Sequence, residues 1–233
     1  MRYKCGFIAL GNNHLSSSLL SEVPGETGLF MQITDALRSQ GYVVLQDVFS
    51  ITQLQSLLID IKQSEHGTFH QAGIGREQSH QLNQFVRRDR IRWLDMQHEP
   101  IRFYLQWAER LRLHINRQLL LGLFDYECHY AHYPSGAFYK KHVDAFKGGS
   151  NRCLTTILYL NPAWQPADGG ELLLYAEDDS GVLQTILPAF GTLVIFLSED
   201  FPHEVLPTRC SRYSLTGWYR VNNTTKLNLD PPA

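Results

Sequence analysis

The spacing of apolar residues changes character about halfway along the chain. In the first half, apolar side chains recur every three or four residues over 28–40, from Ser50 onward and from Pro100 to about 121, which predicts three helices. Ser50 followed by Gln53 is a capping-box signature for the start of the second helix. The short apolar run 42–45 predicts one strand between the first two helices. The first half is therefore expected to form a mostly helical layer that packs against a sheet.

The second half consists of short apolar runs separated by turn residues. The predicted strands are 124–133, 138–146, 153–161, 171–176, 182–187, 191–197, 203–206 and 211–221. Consecutive strands without intervening helices are typical of a sandwich or a jelly roll. We therefore predict a mainly β fold with flanking α-helices.

The same patterns divide a single compact domain into parts. We expect a loosely ordered N-terminal arm at 1–26, a support region at 27–123, a β-rich catalytic core at 124–221 and a C-terminal tail at 222–233. Within the support region, the polar and glycine-containing stretch 66–87 is expected to be a mobile loop.

Arginines are concentrated in the strand predicted at 86–94. They occupy positions 87, 88, 90 and 92. We interpret them as a solvated edge strand rather than as a binding patch.

Composition limits the class of protein. Hydrophobic residues make up 43% of the 233 residues and charged residues 19%, as in an ordinary soluble globular protein. A formal net charge of −2 gives no indication of nucleic-acid binding, and no apolar run is long enough to span a membrane. The four cysteines form no CxxC pair and indicate reduced thiols, so we expect a cytoplasmic protein.

Two residues of one predicted strand can direct their side chains to the same point. Side chains at i and i+2 share a strand face, so His142 and Asp144 bring together an imidazole and a carboxylate. His203, in a later strand, can supply a third ligand. Two histidines and one carboxylate, with the other positions open, suit non-haem Fe(II). These three residues are the predicted metal ligands and catalytic centre, although a lone His-x-Asp is also common on solvated strands.

Arg212 lies in the last predicted strand and shares a face with Ser214, Thr216 and Trp218. A buried arginine is costly unless a partner neutralises it. A dicarboxylic acid that chelates iron at one end would offer its far carboxylate to this guanidinium, with Thr216 as a second donor. The alternative is an arginine paired with a structural Asp or Glu.

Taken together, these residues resemble the prolyl-hydroxylase branch of the 2-oxoglutarate- and Fe(II)-dependent oxygenases. The likeness is greatest to the hypoxia-inducible-factor prolyl hydroxylases and their bacterial relatives, and it covers about 85 to 220. The residues that carry it are Tyr133-Pro134, Tyr139, His142 and Asp144, Arg152-Cys153, Tyr159 and Asn161, Gly169-Gly170, Pro202 to Val205, Arg212-Tyr213, Thr216 and Trp218-Tyr219.

The resemblance implies a double-stranded β-helix, a jelly roll whose N-terminal helices pack on the major sheet. It implies Fe(II), 2-oxoglutarate and O2 as the reacting partners, with ascorbate as a candidate reductant. The implied activity is hydroxylation of a prolyl residue in a protein to 4-hydroxyproline, with release of succinate and CO2. A role in oxygen sensing and a translation factor as the substrate are family-level expectations.

The resemblance also assigns roles to individual residues. Tyr159 corresponds to a further contact to 2-oxoglutarate, although a tyrosine in a barrel strand is more often core. Asp89 corresponds to an aspartate that pairs with the equivalent of Arg152 at the outer wall, and the loop 66–87 to a segment that folds over substrate. The candidates for wall and substrate contacts are Tyr133, Tyr139, Arg152 and Trp218. For the two tyrosines, ordinary core packing is an equally good interpretation.

Two other histidines lie near the metal strand in sequence. His129 and His132 are three residues apart and so fall on opposite strand faces, which argues against a second metal site.

Two other functions remain open at the level of sequence. The same oxygenase chemistry could act on free proline or another small molecule, or the protein could bind metal and 2-oxoglutarate as a sensor without turnover. An alkylated nucleobase is disfavoured, because the repair demethylases carry an asparagine and a second arginine where this chain has Ser214 and Trp218.

Overall fold

The computed structural model describes five stretches of the chain: 25–64, 68–72, 85–145, 150–178 and 180–222. Three predicted segments therefore lie wholly or largely outside the described residues: the arm at 1–26, the loop at 66–87 and the tail at 222–233.

Three α-helices begin and end where local signals place them, with one exception. Helix α1 (Glu26–Gln40) ends at Gly41, whose φ of 79° and close approach to the Phe201 ring both require glycine. Helix α2 (Ile51–Gln63) carries the predicted capping box. Helix α3 (Arg102–Leu119) starts two residues later than predicted, because Pro100 lies in a preceding 3-10 turn. None of the described helices combines the length and apolarity needed to cross a bilayer.

In the described stretches of the chain, eleven strands form two antiparallel sheets. They are β1 (Tyr42–Leu45), β2 (His70–Gln71), β3 (Arg90–Leu94), β4 (Leu123–Tyr133), β5 (Tyr139–His142), β6 (Arg152–Tyr159), β7 (Leu172–Tyr175), β8 (Val182–Ile186), β9 (Leu193–Leu197), β10 (His203–Val205) and β11 (Arg212–Val221). The larger sheet has the order β1-β9-β6-β11-β4-β3-β2, and the smaller has the order β5-β10-β7-β8. All eight strands predicted after residue 124 are present, and the predicted jelly roll with flanking helices is confirmed.

The strand predicted at 86–94 is shorter than expected. Strand β3 starts only at Arg90, and Arg87 instead forms an isolated bridge with Tyr139 of the smaller sheet. The Arg87 side chain is 13% exposed and bonds to Asp89, which is fully buried. The interpretation of the arginines as a solvated edge is therefore wrong for Arg87, because a buried carboxylate draws it inward, whereas Arg90 is exposed as expected.

The two faces of the larger sheet bury different clusters. The outer face packs against the helices, and Leu154, Leu215 and Tyr219 lie in one apolar core with residues of all three. The inner face meets the smaller sheet, where Ile157 and Tyr159 join a second cluster. Because side chains alternate along each strand, a single strand supplies both the core and the cleft between the sheets.

Candidate metal centre and cleft

His142, Asp144 and His203 converge at the mouth of the space between the sheets. His203 lies directly opposite His142 in the pairing of β10 with β5. The ligand atoms of all three residues lie within 4.8 Å of one another. The Nε2 atoms of His142 and His203 lie 3.5 and 3.7 Å from the nearest Asp144 carboxylate oxygen. The structure thus brings together the three predicted ligands from two strands and the turn after β5.

Hydrogen bonds fix the orientation of both imidazoles. Nδ1 of His142 donates to the Lys140 carbonyl at 2.8 Å, and Nδ1 of His203 donates to the Phe201 carbonyl at 3.0 Å. Each bond leaves the lone pair of Nε2 free towards Asp144, since a neutral imidazole carries its proton on only one nitrogen. This arrangement is how metal-ligating histidines are held in proteins.

The carboxylate of Asp144 is also held by its neighbours. Its Oδ2 accepts hydrogen bonds from the Thr155 hydroxyl at 2.8 Å and from Nε1 of Trp218 at 3.0 Å. Thr155 is in turn bonded to Ser198 at 2.9 Å. The role of Thr155 was missed in the sequence. Its position on the same face of β6 as Tyr159 was the only signal.

The charge states of the three groups match those of metal ligands. Burial would raise the pKa of Asp144, but the nearby His203, His142 and Arg152 hold that pKa well below its usual value. Burial, together with the neighbouring His142, lowers the pKa of His203 to about 4. An ionised carboxylate and a neutral imidazole are the forms that bind a metal ion. A donor set of two imidazoles and one carboxylate fits Fe(II).

Arg212 lies deeper in the cleft, where it is 1% exposed. Its Nε donates to the Gly170 carbonyl at 2.9 Å, and the guanidinium lies over the rings of Tyr133 and Tyr159 at 4.9 and 4.8 Å. Within the described parts of the chain, no carboxylate pairs with it. A buried cation without a counter-ion is costly, so this end of the cleft suits an anionic ligand.

Tyr159 and Thr216 complete the environment of Arg212. The Tyr159 hydroxyl is fully buried and has no hydrogen-bond partner among the described residues, and burial raises its pKa against the opposing effect of Arg212. It therefore remains a protonated donor beside the guanidinium. Thr216 lies on the same strand face as Arg212, as predicted, with its hydroxyl 3.4 Å from that of Ser214. The arrangement fits the carboxylate of a bound diacid.

The predicted wall residues occupy two different places. Trp218 lies beside the metal site, with the Arg152 guanidinium 3.5 Å from its ring centroid. Tyr139 stacks on the ring of His142 at 3.5 Å and 16°. Tyr133, in contrast, lies 5% exposed against Arg212, at the inner end of the cleft.

The pairing expected between Asp89 and Arg152 is not formed. Asp89 instead accepts two hydrogen bonds from Arg87 at 2.7 and 2.6 Å. Arg152 bonds to Glu127 at 2.8 Å across β11, whose Trp218 stands opposite Glu127 and whose Arg220 stands opposite Arg152. The guanidinium of Arg87 also lies 4.3 Å from the Tyr139 ring centroid. Arg87 therefore packs against Tyr139, the residue that stacks on His142. Its position among other arginines in the sequence gave no indication of this role.

Comparisons with known proteins agree with this geometry. The model of the 2OG-Fe(II) oxygenase superfamily matches residues 128–220. The mouse prolyl hydroxylase EGLN3 is 30% identical over 198 residues, which cover 80% of this chain and 81% of that protein.

Solved structures give the same result. A Pseudomonas putida prolyl-4-hydroxylase is 36% identical and superposes with a TM-score of 0.75, covering 83% of this chain and 99% of that one. A Trichoplax adhaerens prolyl hydroxylase, solved with a hypoxia-inducible-factor peptide fragment, is 26% identical with the same TM-score, covering 86% of this chain and 94% of that one.

Proposed function

Because this chain belongs to the prolyl hydroxylase branch of the 2OG-Fe(II) oxygenase superfamily, we propose that it hydroxylates a prolyl residue within a protein substrate. It is a 2-oxoglutarate-dependent dioxygenase that uses Fe(II), 2-oxoglutarate and O2. When bound, these groups supply the oxidising power that adds one oxygen atom to an unactivated C–H bond, with succinate and CO2 as the other products.

In this proposal each end of the cleft has a separate task. His142, Asp144 and His203 hold the iron, and Thr155 and Trp218 orient the carboxylate of Asp144. At the other end, Arg212 and Tyr159 bind the far carboxylate of 2-oxoglutarate, with Thr216 as a further donor beside them. The contacts of Arg212 and Tyr159 with the far carboxylate would orient the diacid towards the metal site before reaction.

One observation carries the proposal. The metal triad lies in one cleft with the buried Arg212, which has no carboxylate partner among the described residues. The chain is also 36% identical to a prolyl-4-hydroxylase, with 83% of this chain and 99% of that protein covered. A salt-bridged structural arginine, the alternative considered for Arg212, would need a carboxylate partner, and none lies within the described part of the chain.

A protein is the favoured substrate, because the Trichoplax relative was solved with a peptide of a hypoxia-inducible factor. The finer proposal that the substrate is a translation factor rests on the resemblance to bacterial members alone. Tyr139, Arg152 and Trp218, which surround the metal site, are the proposed substrate contacts, and we assign Tyr133 to the 2-oxoglutarate end instead.

The test is an assay of succinate release and peptide mass with the iron-loaded protein. The substrates are an array of synthetic peptides that each contain one proline, with free proline as a separate arm and ascorbate in the buffer. We expect a 16 Da mass increase on proline in at least one peptide, matched by succinate. A mass increase confined to free proline, or 2-oxoglutarate binding without any turnover, would contradict the proposal.

A further inference from the structure

His129 lies in the wall of the cleft, although no role is predicted for it from the sequence. It belongs to β4, where it stands opposite Thr216 of β11 on one side and Trp93 of β3 on the other. Thr216 shares its face with Arg212, so His129 faces the cleft rather than the helices. His132, three residues on, lies on the opposite face, where its ring stacks on Tyr213 at 4.8 Å.

His129 belongs to a triangle of three rings, in which the centroids of Trp93 and Trp218 also lie 6.2 Å apart. Its ring centroid lies 5.1 Å from that of Trp93 and 5.2 Å from that of Trp218. We call Trp93, His129 and Trp218 the aromatic wall. Trp93 is 52% exposed, whereas Trp218 is buried and donates a hydrogen bond to Asp144. The aromatic wall therefore leads from solvent to the metal site.

The imidazole of His129 is buried without satisfying its polar atoms. The residue is 4% exposed, and its Nδ1 is fully enclosed with no hydrogen-bond partner. Neither ring nitrogen forms a hydrogen bond with any residue that the structure describes. A buried polar group without a partner is costly, and Nε2, which is not enclosed, is the nitrogen that a ligand can reach.

The character of the imidazole narrows the choice of ligand. Burial, with Arg87 and Arg152 nearby, lowers the pKa of His129 to about 3, so the ring is neutral and has one donor and one acceptor. A backbone amide group offers a matching acceptor or donor. The exposed indole of Trp93 beside it suits an apolar prolyl ring. The 2-oxoglutarate carboxylate already has its own donors at Arg212 and Tyr159.

We infer that His129 is a specificity-determining contact to the peptide substrate, in which one ring nitrogen hydrogen-bonds a backbone amide group next to the target proline. The inference rests on the proposed function and extends it by assigning a recognition role to the aromatic wall. A packing role alone would require only a ring of the same size at position 129.

The experiment compares His129→Phe, which keeps a ring and removes both nitrogens, with His129→Gln, which restores a donor and an acceptor. The probe is the peptide of the single-proline array that the wild-type enzyme hydroxylates best. For His129→Phe we expect the KM for that peptide to rise about tenfold, the effect of losing one hydrogen bond. The KM for 2-oxoglutarate should stay unchanged, and His129→Gln should recover part of the loss.

The control is His132→Phe, which alters the other face of the same strand and should leave both KM values unchanged. Thermal unfolding of each variant checks that the fold is retained. If the wild type is active and His129→Phe has the wild-type KM for peptide, or changes only the KM for 2-oxoglutarate, the inference is overturned and the proposed function stands. If the wild type hydroxylates no peptide, the proposed function itself fails and the inference falls with it.

Discussion

The two faces of the larger sheet differ in whether they bury charged side chains, and β11 contributes side chains to both faces. On the outer face, Leu215 and Tyr219 are fully buried among apolar side chains of the helices. On the inner face, the same strand buries Arg212 without a carboxylate partner among the described residues and places Trp218 against Asp144. Strand alternation thus puts side chains for stability and side chains for ligand binding only one residue apart.

This difference between the two faces shows which part of the fold lowers the stability of the protein without ligands. Among the described residues, the helical layer on the outer face also leaves a polar atom without a hydrogen-bond partner, Nε1 of Trp107, but the buried charge lies on the inner face, at Arg212. An uncompensated charge lowers the stability of the protein without ligands and is offset when an anion binds. Substitutions on the inner face should therefore change function more than stability, and substitutions on the outer face should do the reverse.

The largest expected effect is at the metal site. His142→Ala removes a proposed metal ligand from a partly exposed position. Losing a ligand should lower activity more than losing the hydrogen-bond partner of a ligand, so we expect 2-oxoglutarate turnover to fall more than about a hundredfold. Succinate release measures the effect, with the neighbouring Lys141→Ala as the control. Turnover within about threefold of the wild type would contradict the triad assignment.

The matching change on the outer face is Gly217→Ala. The backbone of Gly217 is ordinary, but an added Cβ would meet the Tyr126 hydroxyl and lie 2.9 Å from the Cβ of Cys128. Tyr126 cannot easily move, because its hydroxyl bonds to Tyr104 at 3.0 Å and Thr156 at 2.6 Å.

We expect Gly217→Ala to lower the free energy of unfolding by about 3 kcal/mol, the cost of an overpacked core, as measured by urea denaturation. Gly28→Ala is the control. Gly28 is an exposed residue of α1 with open space around it, so alanine there should be neutral or stabilise by about 0.5–1 kcal/mol. Equal stability of the two variants would show that the outer face is less tightly packed than the structure indicates.

Arg212→Met tests the charge difference between the faces directly. Losing the charged contact should raise the KM for 2-oxoglutarate about a hundredfold, whereas Tyr159→Phe, which removes one neutral donor, should raise it about tenfold. Removing the unpaired charge should leave the free energy of unfolding unchanged or higher. A marked loss of stability in Arg212→Met, with the KM for 2-oxoglutarate unchanged, would make the arginine structural.

The stability of the metal-free protein should also depend on pH. The pKa values of His203 and His129 fall from 6.5 to about 4 and about 3, so below pH 6.5 the unfolded chain binds protons that the folded chain does not. The free energy of unfolding should therefore decrease as the pH falls from 6.5 towards 4, by at most about 1.4 kcal/mol per pH unit for each imidazole.

Urea unfolding between pH 7.5 and 5 measures this slope, and His129→Phe should make it shallower. The same stability at both pH values would show that the two imidazoles are not held neutral by burial.

Sequence alone determined those features that depend on local spacing. The two-residue period placed Arg212 with Thr216 and Trp218, because side chains of a strand alternate whatever the rest of the chain does. It also predicted that His142 and Asp144 lie together, which is confirmed, although the strand predicted at 138–146 ends at His142 and Asp144 lies in the turn that follows. The capping box at Ser50 and the eight strands after residue 124 follow from equally local signals.

Tertiary structure alone decided the partners of these residues. Thr155 meets Asp144, Arg152 pairs with Glu127 rather than Asp89, and His129 packs against two indoles that also contact each other. Each of these contacts depends on which strands are neighbours and in what register they pair. Register results from packing across the whole sheet, and a shift of one residue would move every one of these side chains to the opposite face.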